Sequence, residues 1–152
     1  MLSVPFVNVA DVDDPDAIKE KLDKVLLNSL SCVNWPELYS SKPDVSFKIA
    51  HNGDNLFLRF FVEENEILAA VTEDNGPVWT DSCVEFFLSI GNGPYYYNAE
   101  FSCTGKALLG YREDRYSAIH ADKEIMSRIK RYPSMGTSPI EKTQGDFKWD
   151  LL

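Results

Sequence analysis

Three carboxylates crowd one short stretch of the chain, Asp81, Glu85 and Glu100, with Trp79 and Asn98 beside them. Residues of these types suit two kinds of chemistry. A pair of carboxyl groups can cleave a glycosidic bond as acid and base, standing roughly 5–5.5 Å apart in retaining enzymes and about 6.5–9.5 Å apart in inverting ones. The same groups can instead hydrogen-bond the hydroxyls of a sugar that is held and left unchanged, while an indole covers its apolar face. No other catalytic signature competes, for the chain lacks GxSxG, GxxxxGK, HExxH and GxGxxG. Of the two histidines, His51 falls in a turn-like stretch and His120 in an irregular one, and both read as ordinary polar residues.

Composition narrows the partners. A net charge of -9 repels phosphate backbones and anionic lipid surfaces, so neither nucleic acid nor membrane is an expected partner. Arg128, Lys130 and Arg131, after Arg112 and Arg115, then read as a solvated local patch. No run approaches the ~20 apolar residues needed to cross a bilayer, and no basic, then apolar leader follows Met1. The chain as written is expected in the cytoplasm, or exported if a signal has been removed. Cys32, Cys83 and Cys103 are odd in number and lack CxxC spacing, which predicts buried thiols in place of a disulfide framework or a zinc site.

At 152 residues the chain suits one domain. Asp14-Pro15 followed by Ile18, Leu22, Val25, Leu26 and Leu30 predicts an amphipathic helix over about 15–30. The period then changes to two. Val45, Phe47 and Ile49, the turn His51-Asn52-Gly53-Asp54, and Leu56, Leu58, Phe60 and Val62 predict a hairpin. Glu63-Glu64-Asn65-Glu66 reads as a turn before a short strand over Ile67 to Thr72. Ser82 to Ile90, Tyr95 to Cys103 and Lys106 to Tyr111 continue the series. Residues 112–145 form a long excursion with a helical turn near Asp122 to Ile129, and Phe147, Trp149 and Leu151 open a last strand. Short strands at close spacing with Gly and Pro turns describe an all-β sandwich or jelly roll with one N-terminal helix.

Strand parity places Trp79, Asp81, Cys83, Glu85 and Phe87 on one face and Val84, Phe86, Leu88 and Ile90 on a core face. Phe47 and Phe60 are expected in the same core. Glu85, a carboxylate between Cys83 and Phe87, needs donors, from a ligand's hydroxyls or from Arg59 on a neighbouring strand. Asn98 and Glu100 share a strand face that can extend a polar binding surface. Trp79, after a Gly-Pro turn, suits a rim position. Six residues of ideal strand span roughly 20 Å, so Trp79 and Glu85 share a site only if the chain bends at Thr80-Asp81. Trp35 and Trp149 read as core or end-plug residues.

The stretch Asp74-Asn75-Gly76-Pro77-Val78-Trp79-Thr80-Asp81-Ser82-Cys83-Val84-Glu85-Phe86-Phe87-Leu88, followed by Tyr95-Tyr96-Tyr97-Asn98-Ala99-Glu100-Phe101, resembles carbohydrate-binding modules of family 9. Val33-Asn34-Trp35-Pro36 and Phe47-Lys48-Ile49-Ala50-His51 extend the likeness to family-9-like proteins of gut bacteria. The resemblance implies non-catalytic binding of a mono- or oligosaccharide, at its reducing end, in carbohydrate catabolism. It makes Trp79 one of two tryptophans that sandwich the sugar and Glu85 an acidic hydrogen-bonding residue. Asn98, Arg59 and Glu100 complete the expected ligand-binding set. Ser102 departs from the pattern, which has a larger polar or basic side chain nearby. The second stacking tryptophan would follow Leu152, so the chain is expected to be one domain over 1–152 truncated at its C-terminus.

Three rival readings remain on the sequence: a glycoside hydrolase working through Asp81, Glu85 and Glu100, a haem-binding sandwich with His and Met ligands, and a protein-interaction or regulatory domain that keeps the fold without a ligand. No cofactor is required. Calcium is a structural option in such modules, for which Glu63-Glu64-Asn65-Glu66 and Glu73-Asp74-Asn75 offer oxygen ligands, but no fixed-spacing calcium loop is present and solvated turns are the expected state.

Overall fold

The helix begins where the sequence places it and ends sooner. Asp14 accepts the Asp16 N–H at 2.9 Å, proline opens the first turn, and α1 runs Pro15–Asp23. Ile18 and Leu22 pack with Val9, Ala50 and Phe57 in one buried cluster. The expected continuation to residue 30 does not form. The Lys24 N–H closes on the Lys21 and Leu22 carbonyls, and β1, Asn28–Leu30, pairs antiparallel with β2, Asp44–His51. A neighbouring strand satisfies that backbone as well as a helix would, and Leu26, 75% exposed, marks no buried stripe.

The computed structural model describes residues 2–32, 37 and 42–152, so the assignment of Trp35 lies outside the described residues. Within them the chain is mostly β, with strands in two four-stranded antiparallel sheets, β1-β2-β3-β8 and β4-β5-β6-β7. With α1 at the N-terminus this content fits the expected β-sandwich class. The strands divide between two compact units, residues 1–66 with 145–152, and residues 67–144.

In the first unit β2 pairs with β3, Leu56–Ala69, from Asp44 opposite Glu63 to His51 opposite Leu56. This is the expected hairpin. Its turn is closed by Asn52, whose side chain accepts the Asp54 and Asn55 N–H groups at 3.2 and 2.8 Å, with Gly53 at φ 101°. His51 belongs to that turn too, its Nδ1 accepting the Gly53 N–H at 3.2 Å. The Glu63-Glu64-Asn65-Glu66 stretch is no turn but part of the single 14-residue strand β3. β8 runs Ile140–Leu151. Its Lys148 pairs with Glu63 at 2.8 Å, and its Trp149, 4% exposed, donates its indole N–H to Glu64 at 2.6 Å. The acidic run has strand-borne partners and provides no calcium loop.

The second unit holds β4 Cys83–Leu88, β5 Tyr96–Ser102, β6 Ala107–Arg112 and β7 Ala118–His120. β7 and α2, Lys123–Ser127, occupy the stretch expected to be an excursion, α2 being capped by the Asp122 side chain. The other acidic loop is consumed internally. Asp74 takes two hydrogen bonds from Arg131 at 2.6 and 3.0 Å and one from the Ala107 N–H at 3.1 Å, which also corrects the reading of Arg131 as part of a solvated patch. Asn75, at φ 60°, donates to the Ala121 carbonyl at 2.8 Å and accepts the Leu109 N–H at 3.2 Å.

Burial corrects the expected core face. Phe60 and Val84 are buried, Phe47 and Phe86 are half-buried, and Leu88 and Ile90 are 39% and 73% exposed. Alternation fixes which side a residue takes, not how far along the strand its cover extends. Ile90 lies past the end of β4, and Leu88 sits in the last ladder pair, opposite Tyr97. Of the cysteines, Cys103 is buried, Cys83 half-buried and Cys32 exposed, and none forms a disulfide.

Leu22 is fully buried at the centre of the helix-bearing cluster. Leu22→Ala is expected to cost about 2–5 kcal/mol, measured as the urea unfolding free energy. A loss below ~1 kcal/mol would show that α1 contributes little to the first unit's core.

Candidate functional site

In β4 and β5 the ladder sets Cys83 opposite Ser102, Glu85 opposite Glu100 and Phe87 opposite Asn98. From β5 to β6 it sets Glu100 opposite Leu108, Asn98 opposite Gly110 and Tyr96 opposite Arg112, and β7 adds His120 opposite Gly110. Directly opposed residues share a face. One face of this sheet therefore carries Glu85, Glu100, Asn98, Arg112 and His120 together, with Phe87 and Tyr96 beside them, their rings 6.0 Å apart.

One end of that face is closed by the segment that precedes β4. Asp81, 8% exposed, accepts the Ala70 and Val71 N–H groups at 3.0 Å each, and the Ser82 N–H donates to the Leu68 carbonyl at 2.7 Å. These bonds fold residues 70–82 back so that Val71 and Val78 pack on Leu108 and Cys83. A single 3-10 turn, Val78–Thr80, then carries Trp79. Val78 is fully buried and Trp79 is 57% exposed. The bend required at Thr80-Asp81 is thus present, and the Trp79 backbone N–H acts on the Glu100 carboxylate.

The polar groups beneath Trp79 are partly unsatisfied. Asn98 donates to Glu100 Oε1 at 2.8 Å. Asn98 Oδ1, Glu100 Oε2 and Arg112 Nε are buried with no hydrogen-bond partner among the described residues. Asn98 and Glu100 are themselves 6% and 4% exposed. Buried groups in this state are rare because each forfeits its hydration, and each calls for a partner, an ordered water or a ligand. Arg112 reaches them because Gly110 lets it. A Cβ on Gly110 would stand 3.0 Å from Arg112 Nε and 3.5 Å from Nη2, so the guanidinium folds back over the residue opposite Asn98.

Electrostatics follow from this packing. Burial raises the Glu100 pKa, against the lowering influence of the Asn98 amide, Arg112 and the Trp79 N–H. Glu85 is raised by burial and by the charge of Glu100, with Arg112 opposing. Two carboxyl groups thus share one guanidinium.

Of the residues expected to bind ligand, the structure gathers Trp79, Glu85, Asn98 and Glu100. Arg59 belongs to the first unit, where it pairs with Asp150 at 2.9 Å and Asp23 at 3.7 Å and lies over the Phe61 ring at 4.7 Å. Phe87 lies on the face where parity put it, while Arg112, read as part of a solvated patch, and His120, read as an ordinary polar residue, join that face through the ladder. For Arg112 the signal was present, since Leu108, Gly110 and Arg112 alternate in phase, but the strand was ended at Tyr111. Among the described residues no group of three or more His, Cys, Asp or Glu converges as a metal centre.

Carbohydrate-binding family 9 matches residues 15–152. A crystal structure of a protein from Bacteroides uniformis, proposed there to bind carbohydrate, is 36% identical, covers 99% of this chain and 69% of its own, and superposes with a TM-score of 0.92. No curated protein matches the chain.

Raised carboxyl pKa values tie stability to pH. A folded-state pKa above the ordinary 4.5 of Glu100 means that the native state holds the proton more tightly, so stability falls as pH rises from the unfolded value through the folded one. Glu100→Gln keeps an oxygen for Asn98 and removes the charge. It is expected to raise the unfolding midpoint near neutral pH and to change it little at pH values below the unfolded one. Equal shifts at both would show that the charge is not strained. Gly110→Ala is expected to displace Arg112, seen as a further rise in the Glu85 and Glu100 pKa values by NMR titration.

Proposed function

We propose, on the premise that the chain belongs to carbohydrate-binding family 9, that it binds a mono- or oligosaccharide without cleaving it, at the reducing end, in carbohydrate catabolism. The observation that carries this reading is the set of unpartnered atoms on Asn98, Glu100 and Arg112 next to an exposed indole. A sugar edge presents hydroxyls that both donate and accept, the complement of two acceptors and one donor. Its apolar face then suits the Trp79 ring. Glu85, with access to solvent, would take a hydroxyl farther out, and Phe87, 56% exposed, offers a second apolar contact.

The hydrolase alternative gains less support. Asp81 is engaged by two backbone N–H groups and its role is to hold the fold. Glu85 and Glu100 are left, adjacent on one face, where a hydrolase sets one carboxyl on each side of the scissile bond.

An indole stack contributes roughly 1–2 kcal/mol, so Trp79→Ala is expected to weaken sugar binding about 5–30-fold by calorimetry. The unfolding temperature should hardly change, because the ring is exposed. Unfolding at ambient temperature would make Trp79 a structural residue, and undiminished affinity would put the sugar elsewhere.

A further inference from the structure

We infer that the site prefers a sugar bearing a protonated amine, a 2-amino-2-deoxyhexose, over the neutral and acidic sugars of the same shape. The inference rests on the sugar-binding reading above and concerns the charge of the ligand. The ladder places these titratable or charged groups on the face: Cys83 and Glu85 on β4, Tyr96 and Glu100 on β5, Arg112 on β6 and His120 on β7. The preceding segment adds Trp79, a neutral side chain, and Asp74 nearby is taken by Arg131. With both carboxyl groups ionised, the glutamates bring two negative charges to the face against the one positive charge of Arg112.

The unpartnered atoms lean the same way. Glu100 Oε2 and Asn98 Oδ1 are acceptors and only Arg112 Nε is a donor. The complement is a ligand edge richer in donors than in acceptors, which an ammonium with a neighbouring hydroxyl provides. Glu100 is 4% exposed, so its carboxylate has already lost most of its hydration and a charge-assisted hydrogen bond to it costs little further desolvation. The raised pKa values of both glutamates fit a site lacking one positive charge. An ammonium on the ligand would supply it. The chain's net charge of -9 also steers cationic ligands inward and uronates away.

The test is calorimetry of the protein with glucosamine, glucose, N-acetylglucosamine and glucuronate, in low salt just below neutral pH, where the amine is protonated. Glucosamine is expected to bind about tenfold more tightly than glucose, the difference between a charge-assisted hydrogen bond and a neutral one. N-acetylglucosamine should lose that advantage, glucuronate should bind least, and Glu85→Gln should narrow the gap. Glucose binding as tightly as glucosamine would overturn this inference and leave the sugar-binding reading standing. Absence of binding by all four sugars would overturn both. Equal affinity for glucosamine and glucuronate would show that the glutamate charges do not face the ligand.

Discussion

The second unit depends on one buried carboxylate. Asp81 accepts the Ala70 and Val71 N–H groups with its two oxygens, tying the end of β3 to the start of β4 across eleven and ten residues of chain. A buried carboxylate is stable only with donors of this kind. Once they are supplied, the intervening segment has little freedom: Val71 and Val78 must cover Leu108 and Cys83, and Trp79, next in sequence, is delivered to the edge of the cover. The indole is exposed because Val78 is buried. Its place beside Glu100 is a consequence of how the loop is anchored, not of any contact the ring makes.

A second constraint acts from the other side of the sheet's polar face. A residue with no side chain at position 110 lets the Arg112 guanidinium lie over the ladder instead of standing away from it. Opposite Gly110 is Asn98, whose amide is turned toward Glu100 at 2.8 Å. A cation, an amide and two carboxyl groups are brought within one patch by strand register alone. The backbone hydrogen bonds of the ladder, not the side chains, provide the rigidity that a preformed binding surface requires.

Sequence pattern read these elements unevenly, and the reasons are physical. The β2–β3 hairpin was plain because alternation and an Asn-Gly turn agree. The helix was read too long because Leu26 and Leu30 continue its spacing, although pairing of Asn28–Leu30 with β2 won that segment. Glu63 to Glu66 looked like a turn because charge clusters usually are one. Here Lys148 and Trp149 answer the charges of Glu63 and Glu64 from β8, a match separated by more than eighty residues and invisible to any local window. Parity on β4 placed Glu85 with Cys83 and Phe87 correctly, yet only the cross-strand register shows that Glu100 faces Glu85.

That register bears on whether the site binds or cleaves. Acid and base work in glycoside hydrolysis asks two carboxyl groups to differ, one kept protonated and the other ionised. Distinct environments achieve this, an apolar pocket for one and a polar, hydrogen-bonded setting for the other. Glu85 is exposed and Glu100 is 4% exposed, but the two face the same cation. Both are raised, burial is the leading cause for each, and the same Arg112 opposes the rise in both. The differences between them, an Asn98 amide and the Trp79 N–H on Glu100 alone, stabilise the charge of the more enclosed group and so bring the two closer in behaviour. Set opposite each other in the ladder, the two carboxyl groups can accept hydrogen bonds from one ligand along one edge.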